Sequence, residues 1–158
     1  MNQFYQVVEL IKSRLSENPD VNTVLFGRTE DKDLYKKNIY PIVHINPIDA
    51  QFTTSQVVNF SFEIAALDQR DISKELVVDK FLSNDDLQDN LNTTYAILND
   101  LITWLRNSNN PNFIELESVQ TAQPILFQDY NLLDGWVVTL SFKMPNVKKG
   151  SGGPGEPC

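Results

Sequence analysis

The stretch Gly135–Met144, GWVVTLSFKM, decides the fold because apolar and polar side chains alternate along it. The apolar set comprises Trp136, Val138, Leu140, Phe142 and Met144. A period of two allows a strand to bury one face and expose the other. The pair Asp134–Gly135 is a favoured turn dipeptide, because glycine adopts a positive φ without steric cost. The sequence therefore predicts a turn at this pair, followed by a long, half-buried strand.

Two segments upstream also have the character of strands. Val58–Ile64 alternates strictly, and Ile39–Ile45 is rich in β-branched and aromatic residues. Pro41 places the earlier segment near a sheet edge or at a strand start, and Pro47 is expected to close it. We therefore predict a hairpin whose two strands are joined through Asp49–Ser55.

Two helices are predicted from apolar residues that recur every three or four positions. The first helix spans Asn2–Leu15. The second spans Asp86–Arg106, after capping oxygens and negative charge at Ser83–Asp86 that suit the amino end of a helix. Tyr95 and Trp104 belong to the apolar stripe of the second helix and are interpreted as core residues.

The order of elements predicts the fold class. A short apolar run at Val24–Phe26 follows the first helix, Phe113–Gln120 is a further predicted strand, and Pro124–Leu133 is either a short strand or a structured loop. Helix, two or three strands, helix, two or three strands indicates an α+β fold, with two main helices packed on one face of a mostly antiparallel sheet. Residues 1–147 form the predicted domain, and residues 148–158 a flexible tail rich in glycine and proline.

Composition excludes several classes of function. The 158 residues include 13 basic and 21 acidic side chains, for a net charge of -8, which argues against direct binding of nucleic acid. No apolar run approaches the length of a membrane span, and the amino terminus lacks the pattern of a secretory signal, so we expect the protein to be made and used in the cytoplasm. The single cysteine, Cys158, cannot form an internal disulfide.

The sequence offers little for catalysis. The lone histidine, His44, has no ligand or triad partner at a recognisable spacing, so it is interpreted as a structural strand residue. The acidic groups that come closest to a pair are interpreted as capping or solvated carboxylates: Asp85, Asp86 and Asp89 in the second helix, and Glu115 and Glu117 on one strand face. Glycine-rich phosphate loops and nucleophile elbows are missing from the sequence. We expect no enzymatic activity, cofactor or metal.

The order of elements and four segments resemble the tail terminator, or tail-completion, proteins of long-tailed bacteriophages. These segments are DYNLLDGWVVTLSF at Asp129–Phe142, the opening helix with NPDV at Asn18–Val21, the hairpin region Tyr40–Leu67 and the helix Asp86–Arg106. The resemblance covers Phe4–Met144.

This resemblance implies a small α+β subunit that closes into a hexameric ring. Such a ring stops growth of the tail tube, joins tube protein to head connector proteins, and lets DNA pass through an acidic lumen without specific binding. Location in the virion neck or tail follows, with assembly in the host cytoplasm. Catalytic residues are not implied. Contacts in such proteins come from loops and exposed strand edges, and the segments nominated here are Arg28–Lys37, Asp68–Lys74 and the tail after Val147. The nominated contact residues are Arg28, Asp31, Lys36, Lys37, Asp68, Arg70, Asp71, Lys148 and Lys149.

Three other interpretations stay open at this point. A head-completion or stopper protein would occupy a neighbouring level of the same neck. A small monomeric module that binds a host protein belongs to a different class, and particle mass separates it from a ring. An enzyme is the third, and it lacks convergent polar groups in the sequence.

Overall fold

The computed structural model describes residues 3–27, 39–70, 85–107, 114–117, 120–128 and 132–146. Two helices and six strands occupy these ranges: α1 (Gln3–Glu17), β1 (Thr23–Phe26), β2 (Ile42–Thr54), β3 (Val57–Gln69), α2 (Asp85–Asn107), β4 (Glu115–Leu116), β5 (Ala122–Gln128) and β6 (Leu133–Pro145). The strand order is β1-β2-β3-β6-β4, and β5 also pairs with β6. Both helices contribute to one apolar core with the same face of the sheet. The predicted α+β class is confirmed.

Strands β3 and β6 form the centre of the sheet. They pair antiparallel over their whole lengths, from Val57 opposite Pro145 to Gln69 opposite Leu133. The alternating residues that face the helices are buried: Val58, Phe60, Phe62, Ile64, Ala66, Val138, Leu140, Phe142 and Met144. Burial of such side chains is the main favourable term in folding. The period of two in the sequence therefore predicted both strands correctly.

The predicted turn at Asp134–Gly135 is wrong. Both residues lie inside β6, opposite Asp68 and Leu67 of β3. A Cβ atom on residue 135 would lie 1.9 Å from the carbonyl oxygen of Ala66. Glycine is required at this position because the two backbones approach closely, and not because a turn needs a positive φ.

The predicted loop at Asp49–Ser55 is also wrong, because β2 continues through Pro47 as far as Thr54. The register against β3 shifts between Pro47 and Asp49, which marks a bulge. On its other side, β2 pairs in parallel with β1 only as far as Ile45. Pro47 is tolerated because it lies at an edge, next to a bulge, where a missing N–H does not interrupt a ladder between two strands.

The two helices cover the central strands and are amphipathic in different ways. Helix α1 buries four apolar residues, which are Val7, Val8, Ile11 and Leu15. Helix α2 buries apolar residues only in its second half, at Ile97, Leu98, Leu101 and Leu105. In its first half the buried positions are polar, at Asp86, Asn90 and Thr94. The predicted capping residues Ser83 and Asn84 lie outside the described residues.

The two remaining strands, β4 and β5, complete the sheet beside β6. Strand β5 pairs with the first half of β6, and the two-residue β4 pairs with its second half. A smaller apolar cluster lies on the face opposite the helices, at Ile42, Ala65, Leu67 and Leu133. The predicted flexible tail, residues 148–158, lies outside the described residues.

Candidate functional site

Two of the nine predicted contact residues, Asp68 and Arg70, fall within the described residues. The other seven lie outside them: Arg28, Asp31, Lys36, Lys37, Asp71, Lys148 and Lys149. Contact with another subunit stays a prediction for all nine. Both Asp68 and Arg70 interact with other residues of the same chain.

Arg70 forms an ion pair with Asp134 at the start of β6. Its Nε donates a hydrogen bond to Oδ2 of Asp134 at 2.7 Å, and its Nη2 donates to Oδ1 at 2.6 Å. The side chain of Arg70 is 14% exposed and that of Asp134 is fully buried. The backbone N–H of Arg70 also donates to the carbonyl of Leu132. This bidentate geometry fixes the end of β3 to the beginning of β6.

Asp68 lies in an acidic environment beside that ion pair. It is paired across the strands with Asp134, and Asp86 of α2 is near enough to interact with it. Burial raises the pKa of Asp68; the hydrogen bond from the backbone N–H of Gln69 lowers it, and the charges of Asp86 and Asp134 raise it.

The interpretation of Asp86 as a solvated carboxylate is wrong, because its side chain is buried. Within the described ranges, no group of three or more His, Cys, Asp or Glu residues is placed to hold a metal ion.

His44 lies in β2, as its interpretation as a strand residue requires. It is paired with Leu25 of β1 on one side and with Ala65 of β3 on the other. The side chain is almost completely buried.

From Asn46 to Thr54, the outer side of β2 is an open strand edge as far as the described residues show. Strand β1 ends opposite Ile45, where Gly27 N–H donates to the Ile45 carbonyl, and none of the described strands continues along β2 beyond that point. Phe52 is 75% exposed on this segment, and Ile48 is also exposed. An open edge presents unpaired N–H and C=O groups that another strand can bind. We call Asn46–Thr54 the β2 edge.

Among the described residues, a second open edge lies on the opposite side of the sheet. Strand β5 pairs with β6, and no further described strand lies beyond it. Its sequence, AQPILFQ, contains no charged residue, and Leu126 is 55% exposed. We call Ala122–Gln128 the β5 edge. The two edges differ in sequence and location, so they are different surfaces of one subunit.

Sequence reasoning missed the β2 edge because Pro47 was interpreted as the end of a strand. The alternation of Ile48, Ala50 and Phe52 with polar residues resumes directly after the proline, and it indicates that the strand continues. The β5 edge was partly predicted, because Pro124–Leu133 was interpreted as either a short strand or a structured loop.

The aromatic residues of α2 differ in their burial. Trp104 is half-buried and packs against the main core, which confirms its prediction. Tyr95 is exposed, so its interpretation as a core residue is wrong. The Tyr95 ring meets the ring of Trp136 edge to face, with centroids 6.3 Å apart. The indole N–H of Trp136 donates to the carbonyl of Leu91, which holds α2 against β6.

The chain matches no protein-family model, and comparison with curated proteins gives no significant match. Neither of the two described helices has both the length and the apolar character needed to cross a membrane. A functional proposal for this chain therefore depends on the geometry of its own residues.

Proposed function

We propose that this protein is a structural subunit of a bacteriophage neck or tail, which closes into a homo-oligomeric ring, ends growth of the tail tube and joins the tube to the head connector. The observation that carries the proposal is the pair of different open edges on opposite sides of the sheet. A closed ring with rotational symmetry uses two different patches, so that one face of each copy meets another face of the next.

In this ring, the β2 edge of one copy pairs with the β5 edge of its neighbour. Main-chain hydrogen bonds between the strands provide affinity, and alternate side chains provide specificity. Phe52 and Leu126, which are exposed in the single chain, become buried against the neighbouring copy and add to the stability of the contact.

The specific assignment to a phage neck draws its support from the resemblance over Phe4–Met144 and from the charge of the chain. A net charge of -8 per copy favours a lumen that repels phosphates, so DNA passes without being held. A hexamer, tail tube protein and connector proteins as partners, and a final location in the virion are part of the same proposal.

Particle mass tests ring formation. Light scattering of the full chain, alone and with tail tubes added, is expected to show an assembly of six copies of the 18.0 kDa chain. Phe52→Lys is expected to abolish the assembly, because a buried lysine opposes strand pairing at an edge. Tyr95→Lys is the matched control, since it places the same charge at an exposed position on α2 and leaves both edges intact. A single-chain mass under both conditions overturns the proposal.

Imaging of virions assembled without this protein tests the assignment to the neck. Overlong tail tubes, or heads and tails that stay apart, are the expected result. Normal virions of normal tail length would contradict the assignment even if the purified chain forms a ring.

A further inference from the structure

A groove lies on the solvent side of α2, beside the carboxyl end of α1. Two adjoining recesses, of about 460 Å³ and about 260 Å³, share Arg14, Ala96 and Asp100 in their linings. Ala96 is exposed, and its small side chain leaves the middle of the groove open. Tyr95 and Trp104 lie on opposite sides of Ala96 around the helix, because successive residues are rotated by about 100°. The groove therefore has an open floor with an aromatic side chain on each side.

The charges in the groove are mostly negative. Three carboxylates, from Glu17, Asp20 and Asp100, line it together with the single guanidinium of Arg14. Arg14 is already engaged: it donates to Asp100 at 2.7 Å and lies 5.4 Å from the centre of the Trp104 ring. Glu17 is 69% exposed, with its carboxylate 3.5 Å from Arg14. Among the described residues, Asp20 makes no ion pair. An uncompensated negative charge therefore remains at this end of the groove.

The position of these carboxylates makes them electrostatically unfavourable in the chain alone. Glu17 is the last residue of α1, and Asp20 follows three residues later. The carboxyl end of a helix carries a partial negative charge and is stabilised by cations, so acidic side chains there are disfavoured. A bound cation would relieve both the dipole and the two side-chain charges.

Apart from Asp100, the side of α2 that lines the groove is uncharged. Its exposed positions from Asn92 to Thr103 are Asn92, Tyr95, Ala96, Asn99 and Thr103. The amides of Asn92, Asn99 and Asn107 make no side-chain hydrogen bond within the described part of the chain, and each offers both donors and an acceptor. From Asn92 to Asn107 the helix is about 22 Å long. That length matches about seven residues of extended chain, whose backbone has the same mixture of donors and acceptors.

We infer that this groove binds an extended, lysine- or arginine-rich segment of another protein. The cationic side chains are held by Glu17 and Asp20 and lie against the exposed ring of Tyr95, where a cation is attracted by the ring electrons. The asparagine amides bind the backbone of the segment. This partner is distinct from a second copy in the ring, because the groove contains neither open edge.

Fluorescence anisotropy with a dye-labelled peptide, Gly-Lys-Lys-Thr-Lys-Lys-Gly, tests the inference on the full chain. Saturable binding is expected, weakening as salt is raised. The double variant Glu17→Gln with Asp20→Asn is expected to weaken binding by at least about tenfold, since two charge contacts are lost. Ala96→Arg is expected to abolish it, because a long cationic side chain fills the floor while arginine remains a good helix former.

The matched control is Glu115→Gln with Asp49→Asn, which removes the same charges from exposed strand positions outside the groove. It is expected to leave the dissociation constant within about twofold of the original. Equal weakening by control and groove variants would show attraction by net charge alone and would overturn the inference. Absence of saturable binding, or displacement of the peptide by Ca²⁺ beyond the effect of NaCl at equal ionic strength, would also overturn it. Circular dichroism of each variant checks that the fold is intact.

Discussion

At residue 135 the backbone of β6 comes so close to β3 that a Cβ atom would lie 1.9 Å from the Ala66 carbonyl oxygen. Gly135→Ala must therefore push the two central strands apart. We expect a loss of about 2 to 4 kcal/mol in the free energy of unfolding, measured by urea denaturation. Thr139→Ala, at an exposed position of the same strand, is the control and should cost less than about 1 kcal/mol. Equal losses would show that residue 135 needs no glycine.

The ion pair between Arg70 and Asp134 predicts a second large effect. Arg70→Met removes the cation and leaves the fully buried carboxylate of Asp134 without its bidentate partner. Breaking a buried pair in this way costs about 3 kcal/mol or more in unfolding free energy. Lys12→Met breaks an exposed pair with Glu9 and should change stability by less than about 1 kcal/mol. If both variants lose the same amount, the Arg70 pair contributes no more than a surface contact.

The carboxyl of Asp68 predicts a pH dependence of stability. Its pKa is raised in the folded chain, so the folded state holds this proton more tightly than the unfolded state does. The contribution of Asp68 to stability therefore falls as pH rises from the ordinary value of 3.8 through the raised folded-state pKa. Asp68→Asn removes this dependence, because asparagine does not titrate.

We expect the difference in unfolding free energy between Asp68→Asn and the original chain to shift in favour of the variant as pH rises through that window. Chemical denaturation across a pH series measures it, and Asp49→Asn serves as the exposed control. A difference that stays constant with pH would mean that folding does not alter the pKa of Asp68.

Among the elements, those with uninterrupted periodicity were predictable from the sequence. The period of two in Val58–Ile64 and Gly135–Met144 placed β3 and β6, and the spacing of three and four placed both helices. Their boundaries and connections were harder, because local turn chemistry competes with pairing between distant strands. Asp134–Gly135 has the composition of a turn, yet the approach of Ala66, almost seventy residues earlier, explains the glycine.

The candidate site was less predictable than the fold for a related reason. Loops and charged residues were nominated as contacts, whereas the two open edges depend on which strands lie side by side. That Asn46–Thr54 lacks a described neighbour follows from the early end of β1, and no local pattern in the sequence reveals it. The ion pair of Arg70 likewise depends on the register between β3 and β6.

The first half of α2 buries polar residues where an apolar stripe was expected, and this predicts an effect on stability. Asn90 is buried, and its Nδ2 has no hydrogen-bond partner among the described residues. Asn90→Leu removes an unsatisfied donor and improves helix propensity, so we expect unfolding free energy to rise by about 1 kcal/mol. The same change at exposed Asn99 supplies only the propensity and should gain less than about 0.5 kcal/mol. A loss at position 90 would indicate that the amide has an essential partner.

In the whole molecule, the choice of which edge pairs with which distinguishes a ring from a simple dimer. Leu126→Lys damages only the β5 edge, and Phe52→Lys damages only the β2 edge. If the β2 edge pairs with the β5 edge, each variant alone stays monomeric. In a mixture, the intact β2 edge of the Leu126→Lys variant pairs with the intact β5 edge of the Phe52→Lys variant, which gives dimers but no ring. Light scattering of the separate and mixed variants measures this. If each edge instead paired with its own copy, each variant alone would still dimerise through its undamaged edge, and the heterologous ring would be excluded.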